Sequence, residues 1–264
     1  MAAVYFISDL HLGAPDRASS LERERAFVAW LDQIAPTAEH LFVVGDLFDF
    51  WFEYKQVVPR GGVRALGKLA ELSDRGIQIE LFTGNHDLWI FDYLPSELGC
   101  VLHRAPVQRH LQGLDLMIGH GDGLGPGDQG YKFLKRIFEN RFFQWCFARL
   151  HPNFGIGLAE RSSRLSRSHT GLSDADYLGA EREWLVQYSL EQLQHRAIDA
   201  FIFGHRHLPI DLALEPNSRY LNLGDWLRYR TYAVLEDGVL RLKVHQGNIE
   251  TDPVHPGFQY AEPR

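Results

Sequence analysis

Seven side chains able to donate to a metal stand at or just past the ends of apolar runs: Asp9, His11, Asp46, Asn85, His120, His205 and His207. Leu41-Phe-Val-Val44 runs into Gly45 and Asp46, and Val4-Tyr-Phe-Ile7 runs into Ser8-Asp9-Leu10-His11. Ile77, Ile79 and Leu81 alternate toward Thr83-Gly-Asn-His-Asp87. Leu114 to Ile118 leads to Gly119-His120-Gly121-Asp122, and Ala200-Phe-Ile-Phe203 to Gly204-His205-Arg206-His207. A buried strand that delivers a polar group at its tip holds that group on rigid scaffold rather than on a mobile loop. Taken singly, each segment has an ordinary explanation. A Gly-Asp after a strand is commonly a turn with a helix cap, and Asp-x-His can be a polar strand edge. Five occurrences of one grammar favour a ligand set.

Carboxylate, amide and imidazole donors with no thiolate suit Mn²⁺, Fe²⁺ or Zn²⁺ in open sites rather than a closed structural zinc. The amide oxygen of Asn85 suits a hard ion. Seven donors exceed what one catalytic ion accepts while keeping room for water, so Asp46 reads as a bridge between two ions about 3.5–4 Å apart. Such a pair lowers the pKa of a water between the ions and neutralises charge on a phosphoryl group. His86, adjacent to Asn85, is positioned to protonate a leaving oxygen, with Asp87 orienting its imidazole. Asp49 and Asp122 either support the ligands or serve local turns. The other eight histidines, His40, His103, His110, His151, His169, His195, His245 and His255, follow no ligand pattern.

These donors need elements to hold them. If the first strand continues to His11, a period of two puts Asp9 and His11 on one side, and the same holds for His205 and His207. Ser19 with Glu22 suggests a capping box opening a helix with Phe27, Val28, Leu31 and Ile34 on its apolar face. Val63, Leu66, Leu69, Ala70 and Leu72 suit a second helix. Two consecutive βαβ-like units argue for a layered α/β sheet with ligands gathered at its strand ends. A later helix starts near Ser173 with Asp176 and carries Trp184, Leu185, Tyr188 and Leu193. The tail is β: Arg219 to Leu223, then Thr231 to Leu235 and Val239 to Val244 joined through Glu236-Asp-Gly238 as a hairpin. Beyond Asn248, three prolines suggest a poorly ordered terminus.

Between two ligand-bearing strands, Tyr131 to Arg167 changes character. Eight Lys or Arg stand against Glu139 and Glu160, beside eight aromatics that include Phe142, Phe143, Trp145, Phe147 and Phe154. Such an insertion is either a lid over an anionic, greasy substrate or a helical pair with core aromatics and solvated cations.

The 264 residues fit one large α/β domain or a domain with an insertion. A net charge of −7 argues against general nucleic-acid binding. Cys100 and Cys146 are too few for a disulfide framework or a zinc motif, which points to a reducing compartment. Met1 to Asp9 carries no basic leader, and no apolar run nears the roughly 18 to 20 residues of a membrane span. The expected place is the cytoplasm, with peripheral membrane contact open and no obligate protein partner evident.

In order, Asp-x-His, Gly-Asp, Gly-Asn-His-Asp, Gly-His and Gly-His-x-His over residues 9 to 207 resemble the calcineurin-like metallophosphoesterase superfamily. The resemblance implies a four-layer αββα sandwich in which Asp46 bridges the two divalent ions and His86 acts on the leaving group. A narrower resemblance is to the UDP-2,3-diacylglucosamine diphosphatase family of lipid A synthesis. It is carried by Ser8-Asp-Leu-His-Leu12, Gly45-Asp-Leu-Phe-Asp-Phe-Trp51, Gly119-His-Gly-Asp122 with Asp128 and Tyr131, and Gly204-His-x-His-x-Pro209 with Leu223-Gly-Asp-Trp226. That family implies a helical lid over residues 131–170 holding acyl chains, two Mn²⁺ ions, and water attacking the α-phosphorus of UDP-2,3-diacylglucosamine to release UMP and the diacylated sugar 1-phosphate. Asp128, Tyr131, Arg161 and Arg164 would contact that nucleotide glycolipid, and the family's substrate implies peripheral contact with the inner membrane's cytoplasmic face. The proteobacterial branch has Gly-Asn-Arg-Asp where this chain has Gly84-Asn-His-Asp87, so another phosphoesterase of the superfamily is the alternative. A non-catalytic scaffold is a third reading, and it would have lost ligands that are all present here.

Overall fold

A strand that is apolar at every position needs cover on both faces. Val4 to Ile7 and Leu41 to Val44 are buried throughout, and the layers of the fold supply that cover. The computed structural model describes residues 2–127, 129–159, 161, 177, 179–214 and 217–245. The chain begins β1 (Ala3–Ile7), α1 (Arg17–Ile34), β2 (Ala38–Val44), α2 (Val63–Asp74), β3 (Gln78–Phe82), α3 (Tyr93–Leu98) and β4 (Val101–His103). It continues through β5 (Val107–Leu111), β6 (Leu114–Gly119), α4 (Gln129–Glu139), α5 (Arg141–Phe147) and a helix α6 over 152–159. Then come α7 (Trp184–Leu193), β7 (Ala200–Phe203), β8 (Pro209–Leu214), β9 (Ser218–Leu223), β10 (Thr231–Glu236) and β11 (Val239–Val244).

The strands form a six-stranded sheet of order β11-β10-β1-β2-β3-β4 and a five-stranded sheet of order β5-β6-β7-β9-β8. β1 to β4 run parallel to one another, as do β6, β7 and β9. Three cores separate four layers. Tyr5, Ile7, Leu41 and Val43 pack toward Phe27 and Trp30 of α1 and Leu69 of α2. Their neighbours in sequence, Val4, Phe6, Phe42 and Val44, turn the other way onto Ile118, Ile202 and Leu221 of the second sheet. The outer face of that sheet, with Met117, Phe201 and Phe203, packs on Leu185 and Val186 of α7. Phe6 and Phe42 stack between the sheets at 5.0 Å, and truncating either to Ala would cost about 3–5 kcal/mol. The layer order is thus the αββα arrangement implied by the resemblance.

Local expectations fare unevenly. α1 is capped by Asp16, whose carboxylate accepts from the Ala18 and Ser19 amides at 2.8 and 3.0 Å. The expected box at Ser19 and Glu22 is corrected, because Asp16 is extended with φ −144° as a cap must be, while Ser19 is already inside the helix. The hairpin is as read: Glu236 pairs with Val239, and Asp237 and Gly238 both have left-handed φ. β4, β5, β8 and the short α3 had no place in the sequence reading. The proposed helix start at Ser173 and Asp176, and the segment after Asn248, lie outside the described residues. Among the described residues no helix is long and apolar enough to cross a membrane.

Candidate metal centre

All seven donors follow the carboxyl ends of parallel strands: Asp9 and His11 after β1, Asp46 after β2, Asn85 after β3, His120 after β6, and His205 and His207 after β7. Because β1 to β3 belong to one sheet and β6 and β7 to the other, the strand ends of the two stacked sheets together supply the donors. Backbone bonds clip the loops together. The Asp9 amide donates to Gly45 O at 3.1 Å, His11 to Asp46 O at 2.9 Å, and Gly204 to His120 O at 3.0 Å. Gly45 is required here, since its φ is +86° and a Cβ would lie 2.4 Å from His120 Nδ1.

One expectation about how the donors converge is corrected. β1 stops at Ile7, and Asp9 and His11 have φ of 53° and 45° rather than extended values. His205 and His207, at 69° and 54°, do likewise, as does Asp46 at 52°. Left-handed turns after β1, β2 and β7, not the pleat of a continuing strand, aim these side chains inward. Each such non-glycine residue costs on the order of 1 kcal/mol or more, a cost that clusters at functional sites.

The donors divide into two groups around Asp46. On one side His207 Nε2 is 3.3 Å from Asp9 Oδ1 and 3.1 Å from His11 Nε2, and His11 Nε2 is 3.6 Å from Asp46 Oδ2. On the other side His120 Nε2 is 3.4 Å from the same Asp46 Oδ2 and 3.3 Å from Asn85 Oδ1, which lies 2.9 Å from His205 Nδ1. Asp46 Oδ2 therefore faces both groups.

Divalent metal fits this arrangement. Asp46 Oδ1 accepts from the His86 amide at 2.9 Å and Asp9 Oδ2 from the His205 amide at 3.0 Å, so the protein satisfies one oxygen of each acid. The other oxygens, Asp46 Oδ2 and Asp9 Oδ1, are buried without a hydrogen-bond partner, which costs about 1–3 kcal/mol each unless something else meets them. His120 Nδ1 donates to Val44 O at 2.9 Å, which directs Nε2 at Asp46. Burial alone would raise the Asp46 carboxyl, but the facing His120, His86 and His11 outweigh it and hold it well below its ordinary range. Burial would lower His120, but Asp46 and Asp9 push it up to about 10. The cluster demands positive charge, and ligation would displace that imidazole proton.

His86 Nδ1 lies 2.9 Å from the Asp49 carbonyl, which can only accept, so the proton sits on Nδ1 and Nε2 carries the lone pair. Burial pushes the imidazole down to about 4, with the neighbouring His11, His207 and His120 adding to the effect. The role expected of Asp87 is corrected. Its two carboxylate oxygens accept from the Gly84 and Phe48 amides at 2.7 and 3.3 Å, stapling the Asn85 loop to the Asp46 loop. Orientation of His86 falls instead to Asp49.

Asp49 also sets Oδ1 3.6 Å from His11 Nδ1, so it supports the centre directly, whereas Asp122 hydrogen-bonds to α4 and acts on His120 and His205 by its charge. Asp122 Oδ2 accepts from Tyr131 at 2.6 Å and pairs with Lys135 at 2.6 Å, and the Tyr131 ring lies 6.4 Å from that of His205. Arg161 is helical and exposed, and Asp128 and Arg164 lie outside the described residues. Between the two readings of the aromatic stretch, the side chains split. Phe147 packs on Phe52 and Trp89, and Phe138 packs on Trp89, so these two anchor α4 and α5 to the body. Phe133, Phe142, Phe143, Trp145 and Phe154 are exposed.

Two supporting residues escaped the sequence reading. Asp225 sets Oδ2 3.5 Å from His207 Nδ1, the carboxylate–histidine pairing common at metal sites. Arg23 of α1 reaches the carbonyls of Leu10, His11 and Ala14 and fixes the loop that carries Asp9 and His11. The Gly-Asp-Trp run after β9 was a usable signal for Asp225, being one more apolar strand that ends in an acid. A lone Arg on a helix face gives none.

The calcineurin-like phosphoesterase profile matches residues 2–209, and the chain belongs to that family. Within it, the chain is 40% identical over 252 residues to the UDP-2,3-diacylglucosamine hydrolase of Porphyromonas gingivalis, covering 91% of this chain and 96% of the relative. Hydrolases of the same name from Pseudomonas paraeruginosa and Aeromonas hydrophila are each 31% identical. Those matches cover 86% and 91% of this chain and 92% and 97% of the relatives.

Proposed function

We propose that the protein cleaves the diphosphate of UDP-2,3-diacylglucosamine, releasing UMP and 2,3-diacylglucosamine 1-phosphate in lipid A synthesis. The observation that carries this reading is a complete, partly orphaned donor set in a chain aligned over 91% of its length with a hydrolase of that name. Asp9, His11, Asp46 and His207 would hold one divalent ion, and Asp46, Asn85, His120 and His205 a second, with Mn²⁺ suited to the mixed oxygen and nitrogen donors. When bound, such ions acidify water and neutralise charge on a phosphoryl group.

The water oxygen bonds to the α-phosphorus and the bond to the bridging oxygen breaks, so the sugar 1-phosphate leaves with the electron pair. His86 Nε2 faces this step as a base at neutral pH. To serve the leaving oxygen it must first take up a proton there, since Nδ1 is committed to Asp49. Tyr131, with Asp128, Arg161 and Arg164, is assigned to the substrate's polar parts. The helices α4 to α6, the described part of the 131–170 insertion, would act as the lid of a single metallophosphoesterase domain. A cavity of about 750 Å³ touching Asp49, walled by Phe50, Trp51 and Val58 and roofed by Ile156 of α6, suits the acyl chains.

Peripheral attachment to the cytoplasmic face of the inner membrane is part of the same reading. Phe142, Phe143 and Trp145 are 64, 47 and 54% exposed, with Arg141 and Arg149 beside them, as an interfacial surface facing anionic lipid would be. The test is incubation of the full chain and Mn²⁺ with UDP-2,3-diacylglucosamine, UDP-sugars, ADP-ribose and bis-p-nitrophenyl phosphate. UMP release from the acylated substrate alone is expected. Equal turnover of the soluble diphosphates would overturn the substrate and leave a broader phosphoesterase.

A further inference from the structure

A cavity of about 420 Å³ lies between α4 and the ends of β3 and β6 and shares a wall with the metal centre, for Thr83 and His120 both line it. Its far side is one face of α4, where Lys132, Lys135, Arg136 and Glu139 recur at three- and four-residue spacing. Arg104, between β4 and β5, completes the lining cations. Four cations thus meet two acids, Asp122 and Glu139, in a chain whose net charge is −7.

About half of that positive charge is left uncompensated within the lining. Arg104 donates to the carbonyls of Leu88 and Ile90, and Lys132 to the carbonyl of Gly125, all neutral partners. Lys135 is paired with Asp122, at 2.6 Å. Arg136 makes no hydrogen bond or ion pair among the described residues. An ammonium has three donors and a guanidinium five, so these contacts leave capacity for a ligand. Clustered cations with an unused Arg fork match a phosphate group.

We propose that this cavity is a second anion subsite, which holds the phosphoryl group that is not attacked while its neighbour lies at the metal centre. The assignment rests on the diphosphate hydrolysis proposed above. Arg136 is then a specificity residue for diphosphates over simple diesters.

Two arms test it. First, the metal-free full chain is titrated with inorganic pyrophosphate and with orthophosphate by calorimetry. Saturable pyrophosphate binding is expected, weakened about tenfold in Arg136→Ala, the effect of losing one charge-assisted hydrogen bond. Glu139→Gln, which removes an acid from the lining, should bind pyrophosphate more tightly than the parent, a gain that misfolding cannot mimic. Unchanged affinity in both variants overturns the assignment, and so does orthophosphate binding as tight as pyrophosphate, which marks a free-phosphate site. Second, with Mn²⁺ present, Arg136→Ala should raise KM for UDP-2,3-diacylglucosamine about tenfold and lose far less on bis-p-nitrophenyl phosphate. Equal losses on both substrates overturn it. If the parent cleaves no diphosphate, the proposed function fails, yet the calorimetric arm still decides whether the cavity binds the anion.

Discussion

Gly84→Ala adds one methyl group at the position that most tightly confines the shared carboxylate. A Cβ there would stand 2.2 Å from Asp46 Oδ1, 2.7 Å from its Cγ and 2.7 Å from its backbone nitrogen. Comfortable heavy-atom contacts begin near about 3.5 Å, so Asp46 must move by roughly 1 Å. Rotating the carboxylate does not suffice, because one of the three atoms is main chain. Overpacking of this kind costs about 1–3 kcal/mol, and a catalytic group misplaced by about 1 Å costs on the order of 10²-fold in rate. The same substitution at Gly67, exposed in α2 with nothing within 4 Å of the added carbon, should instead stabilise by up to about 1 kcal/mol. Urea unfolding midpoints give the stability of both variants, and UMP release gives their turnover. A Gly84→Ala protein as stable and as active as the parent would refute the claim that Asp46 is sterically locked in place.

Asp225→Asn should lower Mn²⁺ affinity about 10- to 100-fold while the fold persists, because His207 Nδ1 loses its carboxylate partner; parent-like affinity in a metal titration would show that Asp225 does not act through His207. Burial alone would raise the Glu80 carboxyl, but His40, Arg109 and His103 outweigh it and bring it from 4.5 to about 2. A depressed acid contributes stability above its unfolded pKa and loses it as pH falls through the folded one, here on the order of 1–2 kcal/mol between pH 4.5 and 2 once solvent screening is allowed for. Unfolding free energies measured across that window should therefore fall less steeply in Glu80→Gln, and parallel curves would contradict the assignment. Replacing Phe142, Phe143 and Trp145 together by Ser should reduce sedimentation with anionic vesicles and slow lipid turnover more than turnover of bis-p-nitrophenyl phosphate, and equal slowing would mean those rings serve the fold.

The strands that carry ligands were legible because each is a short apolar run broken by a polar donor, and burial on both faces leaves no other reading. Edge strands were not. β5, with Arg109 and His110 among Val107 and Leu111, is half exposed and has no uniform period. The donor set was legible by residue type, but its geometry was misread at Asp9, His11, His205 and His207, since a period-two pattern cannot distinguish a strand from a left-handed turn. The role expected of Asp87 failed for a related reason. Which of two nearby acids serves an imidazole depends on backbone direction, and here a carbonyl rather than either carboxylate holds His86 Nδ1. The aromatic stretch could be assigned only by burial, which separates the anchors Phe138 and Phe147 from the exposed rings around them.

The most direct measurement is the metal content and Mn²⁺ affinity of the full chain and of Asp46→Asn, read by elemental analysis and calorimetry. Two ions per parent chain are expected, with the variant unable to retain both and with UMP release lost. A variant that holds two ions as tightly as the parent and hydrolyses as fast would contradict a centre built around a shared Asp46.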